Sequence, residues 1–383
     1  MIQSLSLRNL KCFEELDLRL APLTLLTGFN AAGKSTTLQT LLLMAQTLRA
    51  HLYSGELRLN GPLVSLGTPG EVLREGELGG SLKLGFQVAD HAMSWEFAYK
   101  DAGSRRFFQV ETLRTTSVDQ TNVYTSNELL GLIPDNDLKF QKLCRKVENL
   151  FFLSATRNAA QEVFPVPTDL LPAGDPGCYG QFAAWQLSRF SEDTADPDRC
   201  VPGSPEVGTL RKEVNEWLNL LFPGAEANVG VLQKTDLVRL EFRTTAGGEW
   251  KRPANVGYGL SYAFPMLVAG MCSEAGQTLI IDSPEAHLHP RGQSLAGRFA
   301  ARIASAGQQV IAETHSDHFL NGVRRAIQEG ILKPEDVAIY FFDRDADAKV
   351  QELAVDAEGN ISNWPSGFFD QAERDLASLA GWA

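Results

Sequence analysis

Apolar positions in the first thirty residues first alternate and then run together. Ser4-Leu5-Ser6-Leu7-Arg8 and Leu16-Asp17-Leu18-Arg19-Leu20 have a period of two, which predicts two strands with one buried face each. Leu23-Thr24-Leu25-Leu26-Thr27 is apolar apart from its threonines and predicts a strand covered on both faces. A glycine loop follows, and then an apolar-faced helix from about Lys34 to Arg49. The chain thus opens as strand, loop, helix.

From 51 to about 130 the pattern changes. Glycines are frequent and segments such as Ser81 to Val88 alternate, predicting antiparallel strands and hairpins. Helical spacing returns over 136–150 and 208–222, and Leu237 to Phe242 reads as a strand. Between the two helices the Pro-, Gly- and Asp-rich stretch from Phe164 to Pro205 predicts a long surface excursion. The last third alternates helix and strand. Its strands, Thr278 to Ile281, Gln309 to Ala312 and Val337 to Phe342, are apolar on both faces, as in a covered parallel sheet. There is no internal repeat and no heptad run long enough for a long coiled coil.

Composition narrows the class. The 383 residues are 44% hydrophobic and 21% charged, an ordinary globular mix. No apolar run reaches the ~18 to 20 residues of a membrane helix, and the first ten residues are too polar for a signal peptide. A soluble cytoplasmic protein is expected. The net charge of −12 argues against a surface that binds bare DNA by counterion release, a local basic patch aside. Five scattered cysteines without a CxxC pair read as free thiols in a reducing compartment.

Four segments carry chemistry. Gly28-Phe29-Asn30-Ala31-Ala32-Gly33-Lys34-Ser35-Thr36 satisfies G-x-x-x-x-G-K-[ST] between a buried strand and a helix, the context that this Walker A motif requires. Backbone N–H groups at a helix start attract phosphates, Lys34 reaches the β- and γ-phosphates, and Ser35 ligates Mg²⁺. Thr278 to Asp282 is an apolar strand ending in an acid, the Walker B pattern, and Asp282 is expected to hold Mg²⁺ directly or through water. Glu313-Thr314-His315-Ser316-Asp317 follows another apolar strand, where His315 can donate a hydrogen bond to a γ-phosphate. Asn255 to Ser261 opens an apolar helical run to Met271; its Gly257, Gly259 and Ser261 make a second anion site. One nucleotide in one chain has no use for two such sites, whereas an ATP held between two chains does.

The order of Walker A, GYGLS, IIDSPEAHLHP and AETHSDH resembles the ABC-type ATPases of the RecF, SMC and overcoming-lysogenization-defect (OLD) lineage. Within it the sequence is similar to a stand-alone bacterial group with a C-terminal motif like Asn363-Trp364-Pro365-Ser366-Gly367-Phe368-Phe369-Asp370, a group that includes or adjoins PtuA-like antiphage defence ATPases. The resemblance covers residues 1–50 and 251–370 well, and 51–250 thinly, where Leu59-Asn60-Gly61 and Leu66-Gly67 are the best anchors. It implies an α/β fold: an ABC-type P-loop ATPase head with a mixed β-sheet flanked by helices, plus a β-rich and helical insertion. It implies a discontinuous head of 1–50 and 251–345, an insertion over 51–250, and a tail, 346–383, packed on the head. Gly257, Gly259 and Ser261 become the signature loop acting in trans, and His315 the switch histidine. A homodimer or higher homo-oligomer sandwiching ATP, with Mg²⁺, follows, together with an effector partner such as a nuclease and a role in antiphage defence or DNA maintenance.

Two departures complicate this. Many ABC heads carry Glu directly after the Walker B acid, positioning the attacking water; here Ser283 stands there and Glu285 is the nearest candidate. ATP then serves mainly as a dimer clamp, with slow hydrolysis or, alternatively, as a locked scaffold that turns over little. A Q-loop glutamine has only Gln87 and Gln109 as candidates. Two rival uses of the same residues stay open. His287, His289, His315 and His318 could bind zinc. Asp343, Asp345 and Asp347 follow a strand as in a Toprim nuclease, although an acidic solvated turn explains them as well.

Overall fold

The computed structural model describes the chain apart from residues 51–53, 78–79, 104, 119, 135–137, 170, 204–205, 345–348 and 382–383, and the side chains of 138 and 371–373. It divides into two compact units: Met1–Ala21 with Asn30–Leu150, and Pro22–Phe29 with Phe151–Ala383. Elements are numbered in chain order.

The first unit is built on a six-stranded antiparallel sheet in the order β2-β1-β4-β5-β6-β7. These are β1 (Ile2–Leu10), β2 (Phe13–Arg19), β4 (Ser81–Val88), β5 (His91–Asp101), β6 (Arg106–Thr116) and β7 (Thr121–Thr125). The alternation seen in the sequence is the pleat itself: Leu5 and Leu7 of β1 are buried and Ser4 and Ser6 are not. The unit also holds α1 (Lys34–Arg49), a short α2 (Pro69–Val72), the hairpin of β8 (Leu129–Leu130) and β9 (Ile133–Pro134), and α3 (Leu138–Glu148). Arg49 ties α1 to the end of α3 by donating to the carbonyls of Glu148 (2.6 Å) and Leu150. Gln46, fully buried in α1, donates to Arg58 O (2.5 Å) and accepts from Val64 N (3.1 Å), which fixes the loop around Leu59-Asn60-Gly61.

The second unit carries a mixed sheet in the order β10-β14-β15-β3-β16-β17. Its strands are β3 (Leu23–Gly28), β10 (Phe151–Leu153), β14 (Thr278–Asp282), β15 (Gln309–Glu313), β16 (Val337–Phe342) and β17 (Val350–Leu353). Only β17 runs antiparallel. Strands β15 and β16 are buried at every position, the mark of a sheet covered on both faces. The helices are α4 (Ala183–Phe190), α5 (Leu210–Leu221), α6 (Tyr258–Cys272), α7 (Pro290–Ser305), α8 (Asp317–Gln328) and α9 (Gln371–Leu379), and a small antiparallel sheet joins β11 (Val163–Pro165), β13 (Leu237–Arg243) and β12 (Glu226–Val231). Helix α6 is apolar nearly all round and correspondingly buried. Caps set several helix starts: Thr209 accepts from Lys212 N before α5, and Ser316 Oγ accepts from Phe319 N (3.0 Å) before α8.

The α/β class with a mixed sheet flanked by helices is what the structure shows. One expectation fails. The stretch from Phe164 to Pro205 is no surface excursion: it contains α4, and Ala183, Ala184, Leu187, Arg199 and Cys200 are all buried. The Arg199 guanidinium earns its burial by donating to the carbonyls of Gly270 (2.9 Å) and Ser273. Residues 151–250, read from the sequence as part of one insertion, share a unit with the parallel strands.

Candidate functional site

Parallel strands present their carboxyl ends along one edge of a sheet, where ligands of such folds gather. Here β14, β15 and β3 are neighbours, with Asp282 in register with Glu313, and Glu313 with Leu26. The loops that leave these strands are the ones singled out in the sequence. Ser283 N donates to Glu313 O (2.9 Å) and Thr314 N to Leu26 O (3.0 Å), so the ladder continues into the loops.

The Walker segment starts at Gly28, whose φ of +122° suits glycine and whose Cβ would collide with the Phe342 backbone. Phe29 N donates to Phe342 O (3.0 Å). The chain passes into the first unit at Asn30; Asn30 and Ala31 are exposed, and Ala31 adopts a left-handed φ of 59°. Gly33, at φ +110°, is the N-cap of the 16-residue α1 and gives it no side-chain cap. Its missing Cβ makes room for the Phe13 ring and Cys12. Lys34 is buried and partnered, Ser35 exposed and Thr36 buried. A long helix whose N-cap is a glycine without a side-chain cap, entered through a glycine loop and opened by Lys34, fits the phosphates of a nucleotide.

At the end of β14, Ser283 has a left-handed φ of 52°, and its hydroxyl donates to Asp282 Oδ1 (2.8 Å). Both Glu285 oxygens are engaged: Oε2 accepts from Thr314 Oγ1 (2.8 Å) and Oε1 from His315 N (2.7 Å). This carboxylate therefore fastens the turn after Asp282 to the loop that carries the exposed His315. Of the other histidines, His289 Nδ1 accepts from Arg291 N at the start of α7, and His287 packs on the ring of Tyr262 (centroids 4.3 Å apart). His318 lies 3.8 Å from Asp317. Among the described residues no group of three or more His, Cys, Asp or Glu side chains could hold a metal ion.

The start of α6 presents Gly257 and Tyr258 to solvent, whereas Gly259 and Ser261 are buried. Gly257 is the N-cap, and Ser261 lies a full turn inside the helix with its hydroxyl unpartnered among the described residues. The exposed N-cap is the part of this segment accessible from outside. Gln87 donates to Ala89 O (3.1 Å) and accepts from Ser4 Oγ (3.5 Å), and Gln109 donates to Ser54 O (2.5 Å), so both side chains are engaged around the antiparallel sheet. Asp343 N donates to Lys349 O (2.9 Å), while Asp345 and Asp347 lie outside the described residues.

Sequence reasoning missed Arg157. It follows β10, is buried, and donates to the carbonyls of Ser154 (3.1 Å), Tyr262 (2.9 Å), Asp282 (3.0 Å) and Ser283 (3.2 Å). Its guanidinium also stands 5.4 Å from the centre of the Tyr262 ring. Burial pushes its pKa down to about 10, against the pull of Asp282, Tyr262 and Glu285, so it stays cationic at neutral pH. One side chain thus links α6 to the strand end that carries Asp282. The signal was there: a buried apolar strand ends in a loop bearing a charged residue, as at Asp282.

Two family models match the chain. Residues 184–321 match an AAA domain described as "putative AbiEii toxin, Type IV TA system", and residues 332–379 match a family described only as of unknown function (DUF3696). The first match supports a nucleotide-binding ATPase domain. An OLD nuclease of Thermus scotoductus (strain ATCC 700910 / SA-01) is 23% identical over 402 aligned positions, which span 98% of this chain and 70% of the relative. Among solved structures, an Smc head domain with an extended coiled coil, bound to the C-terminal domain of ScpA and derived from Pyrococcus furiosus, superposes with a TM-score of 0.49 at 11% identity, covering 99% of each chain. An SmcHead bound to the C-winged helix domain of ScpA gives 0.46 at 14% identity over 92% of this chain and 97% of that one. No helix among the described residues is long and apolar enough to cross a membrane.

Proposed function

We propose that this chain binds ATP with Mg²⁺ at its Walker loop, hydrolyses it, and closes into a homodimer around it. The observation that carries the reading is the register of β14, β15 and β3, with Asp282, the His315 loop and Gly28 on successive parallel strands. The backbone of residues 30–35 and the Lys34 ammonium bind the phosphates, and Ser35 and Asp282 hold Mg²⁺. Bound Mg²⁺ supplies neutralisation of the phosphate charge. Glu285 keeps His315 in place, and His315 senses the γ-phosphate. The exposed N-cap at Gly257 and Tyr258 faces the nucleotide of a second copy. The test is ATP binding by calorimetry together with steady-state phosphate release: the wild type binds and hydrolyses, and Lys34→Ala binds more weakly and does not hydrolyse. A Lys34→Ala variant with wild-type affinity contradicts the assignment.

The cellular reading is a regulator of an effector in antiphage defence or DNA maintenance, supported by the resemblance to PtuA-like ATPases and by the OLD nuclease relative. That relative's name also favours a second reading, in which the chain cleaves nucleic acid itself with Asp343 in the acidic set. Loss of cleavage by the purified chain on Asp343→Ala, with ATP hydrolysis intact, selects the second reading; unchanged cleavage by the complex selects an effector.

A further inference from the structure

The C-terminal motif from Asn363 to Asp370 takes no part in the site described above, yet it packs against the second residue of the Walker segment. Phe29 is 44% exposed, with one ring edge on Phe341 (centroids 5.6 Å, interplanar angle 65°). The ring also sits against the backbone of Gly367, where a Cβ would run into it. Gly367 also has a φ of +85°, so glycine is needed there twice, for its conformation and for the ring.

The turn that carries Gly367 is braced from every side. Phe368 is 1% exposed and meets the rings of Phe341 (5.5 Å), Trp364 (4.7 Å) and Phe369 (4.9 Å). Phe368 N donates to Pro365 O (3.1 Å), and Gly367 N donates to Asp370 Oδ2 (3.0 Å). Arg374 pairs with Asp370 (2.8 Å) and donates to Ser366 Oγ (2.6 Å). Arg324 of α8 lies 5.7 Å from the centre of the Trp364 ring. Such bracing exceeds what a solvent-exposed tail needs, and it ends on a ring inside the Walker segment.

We propose that the Trp364–Asp370 turn is a positioning wedge for the nucleotide: the Gly367 backbone seats the Phe29 ring, and the seat fixes the path of the chain from Gly28 into Asn30. The proposal rests on the ATP reading and adds a part to it. A P-loop works through backbone N–H groups, which can point at phosphate only if the backbone is held. Gly28 is held by Phe342, and Phe29 is held on one side by Phe341 and on the other by the wedge. Gly367 and Phe29 are positioning residues here and touch no phosphate.

The experiment measures the affinity of the full chain for a fluorescent ATP analogue with Mg²⁺ by anisotropy. Gly367→Ala is expected to weaken binding about tenfold, equivalent to ~1.4 kcal/mol. In a Phe29→Ala background, which removes the ring that the new methyl strikes, the same substitution is expected to change affinity less than about twofold. Trp364→Ala, at a position 43% exposed and therefore tolerant, is expected to loosen binding several-fold with a melting temperature within a few degrees of the wild type. It decides the question if Gly367→Ala does not fold. Equal losses in both Phe29 backgrounds assign the effect to strain at Gly367 and overturn the wedge, as do wild-type affinities in Gly367→Ala and Trp364→Ala. A wild-type chain that binds no ATP overturns the nucleotide reading, and the wedge with it.

Discussion

Arg157→Ala removes four hydrogen bonds from the interior of the second unit in one step. The Ser283 carbonyl keeps the Ala286 N–H as a partner and the Tyr262 carbonyl, inside α6, keeps the Met266 N–H one turn on, which leaves Ser154 and Asp282 as the carbonyls that lose most. A polar group stripped of its partner in the interior costs about 1 to 3 kcal/mol. Removing a buried cation recovers part of its dehydration penalty. The net loss is expected at about 2 to 4 kcal/mol, which for a domain of this size lowers the melting point by roughly 5 to 15 °C. Arg157→Lys keeps the charge but cannot span the same carbonyls, and should fall between the two. If Arg157 holds the Asp282 turn against α6, Arg157→Lys should lower kcat for ATP hydrolysis more than it raises KM, because the phosphate grip at Lys34 is untouched. Calorimetric melts and steady-state phosphate release read both effects. Arg157→Ala melting within about 1 °C of the wild type, or Arg157→Lys hydrolysing ATP normally, refutes the reasoning.

Lys34→Ala should lower ATP affinity by at least ~1.5 kcal/mol, more than tenfold, since it removes a charge-assisted contact; isothermal calorimetry checks it. Glu285→Ala releases both the Thr314 hydroxyl and the His315 N–H, and should slow hydrolysis more than Glu285→Gln, which keeps one acceptor for them; equal rates in the two variants would remove the tether from the account. The Gly367 N–H holds the Asp370 carboxylate below the usual range. Its contribution is therefore present above the ordinary carboxylate pKa and lost as pH falls through the folded-state value. The emission difference between wild type and Trp364→Phe should change on acidification below about pH 4, and Asp370→Asn should show no such step.

Much of this was legible because the signals were local. Lys34–Arg49 and Val337–Phe342 are the elements that spacing predicts, and β14 and β15 extend their predicted ranges by one residue, onto Asp282 and Glu313. Those strands are short and apolar at consecutive positions, the pattern of a sheet covered on both faces. What stayed hidden depends on distant partners. Pro and Gly between Phe164 and Pro205 signal turns, but not that Arg199 is buried against the end of α6. Ser261 reads as part of a glycine loop, whereas the helix begins before it, at Tyr258. The tie from Glu285 to Thr314 spans 29 residues and the bond from Arg157 to Asp282 spans 125, beyond the reach of any spacing rule.

The central claim, ATP shared between two copies, is tested most directly by mixing two inactive variants. Lys34→Ala disables the phosphate grip. Gly257→Arg places bulk on the exposed N-cap, where no atom lies within 4 Å of the new Cβ, so the fold is spared. In a mixed dimer both defects fall on one nucleotide, and the other site is intact. Random pairing of equal amounts then leaves about a quarter of all sites intact. The account predicts that each variant alone is inactive and that the mixture recovers hydrolysis, or tight nucleotide retention, in about that fraction. Mixed dimers that demonstrably form and recover neither would contradict it.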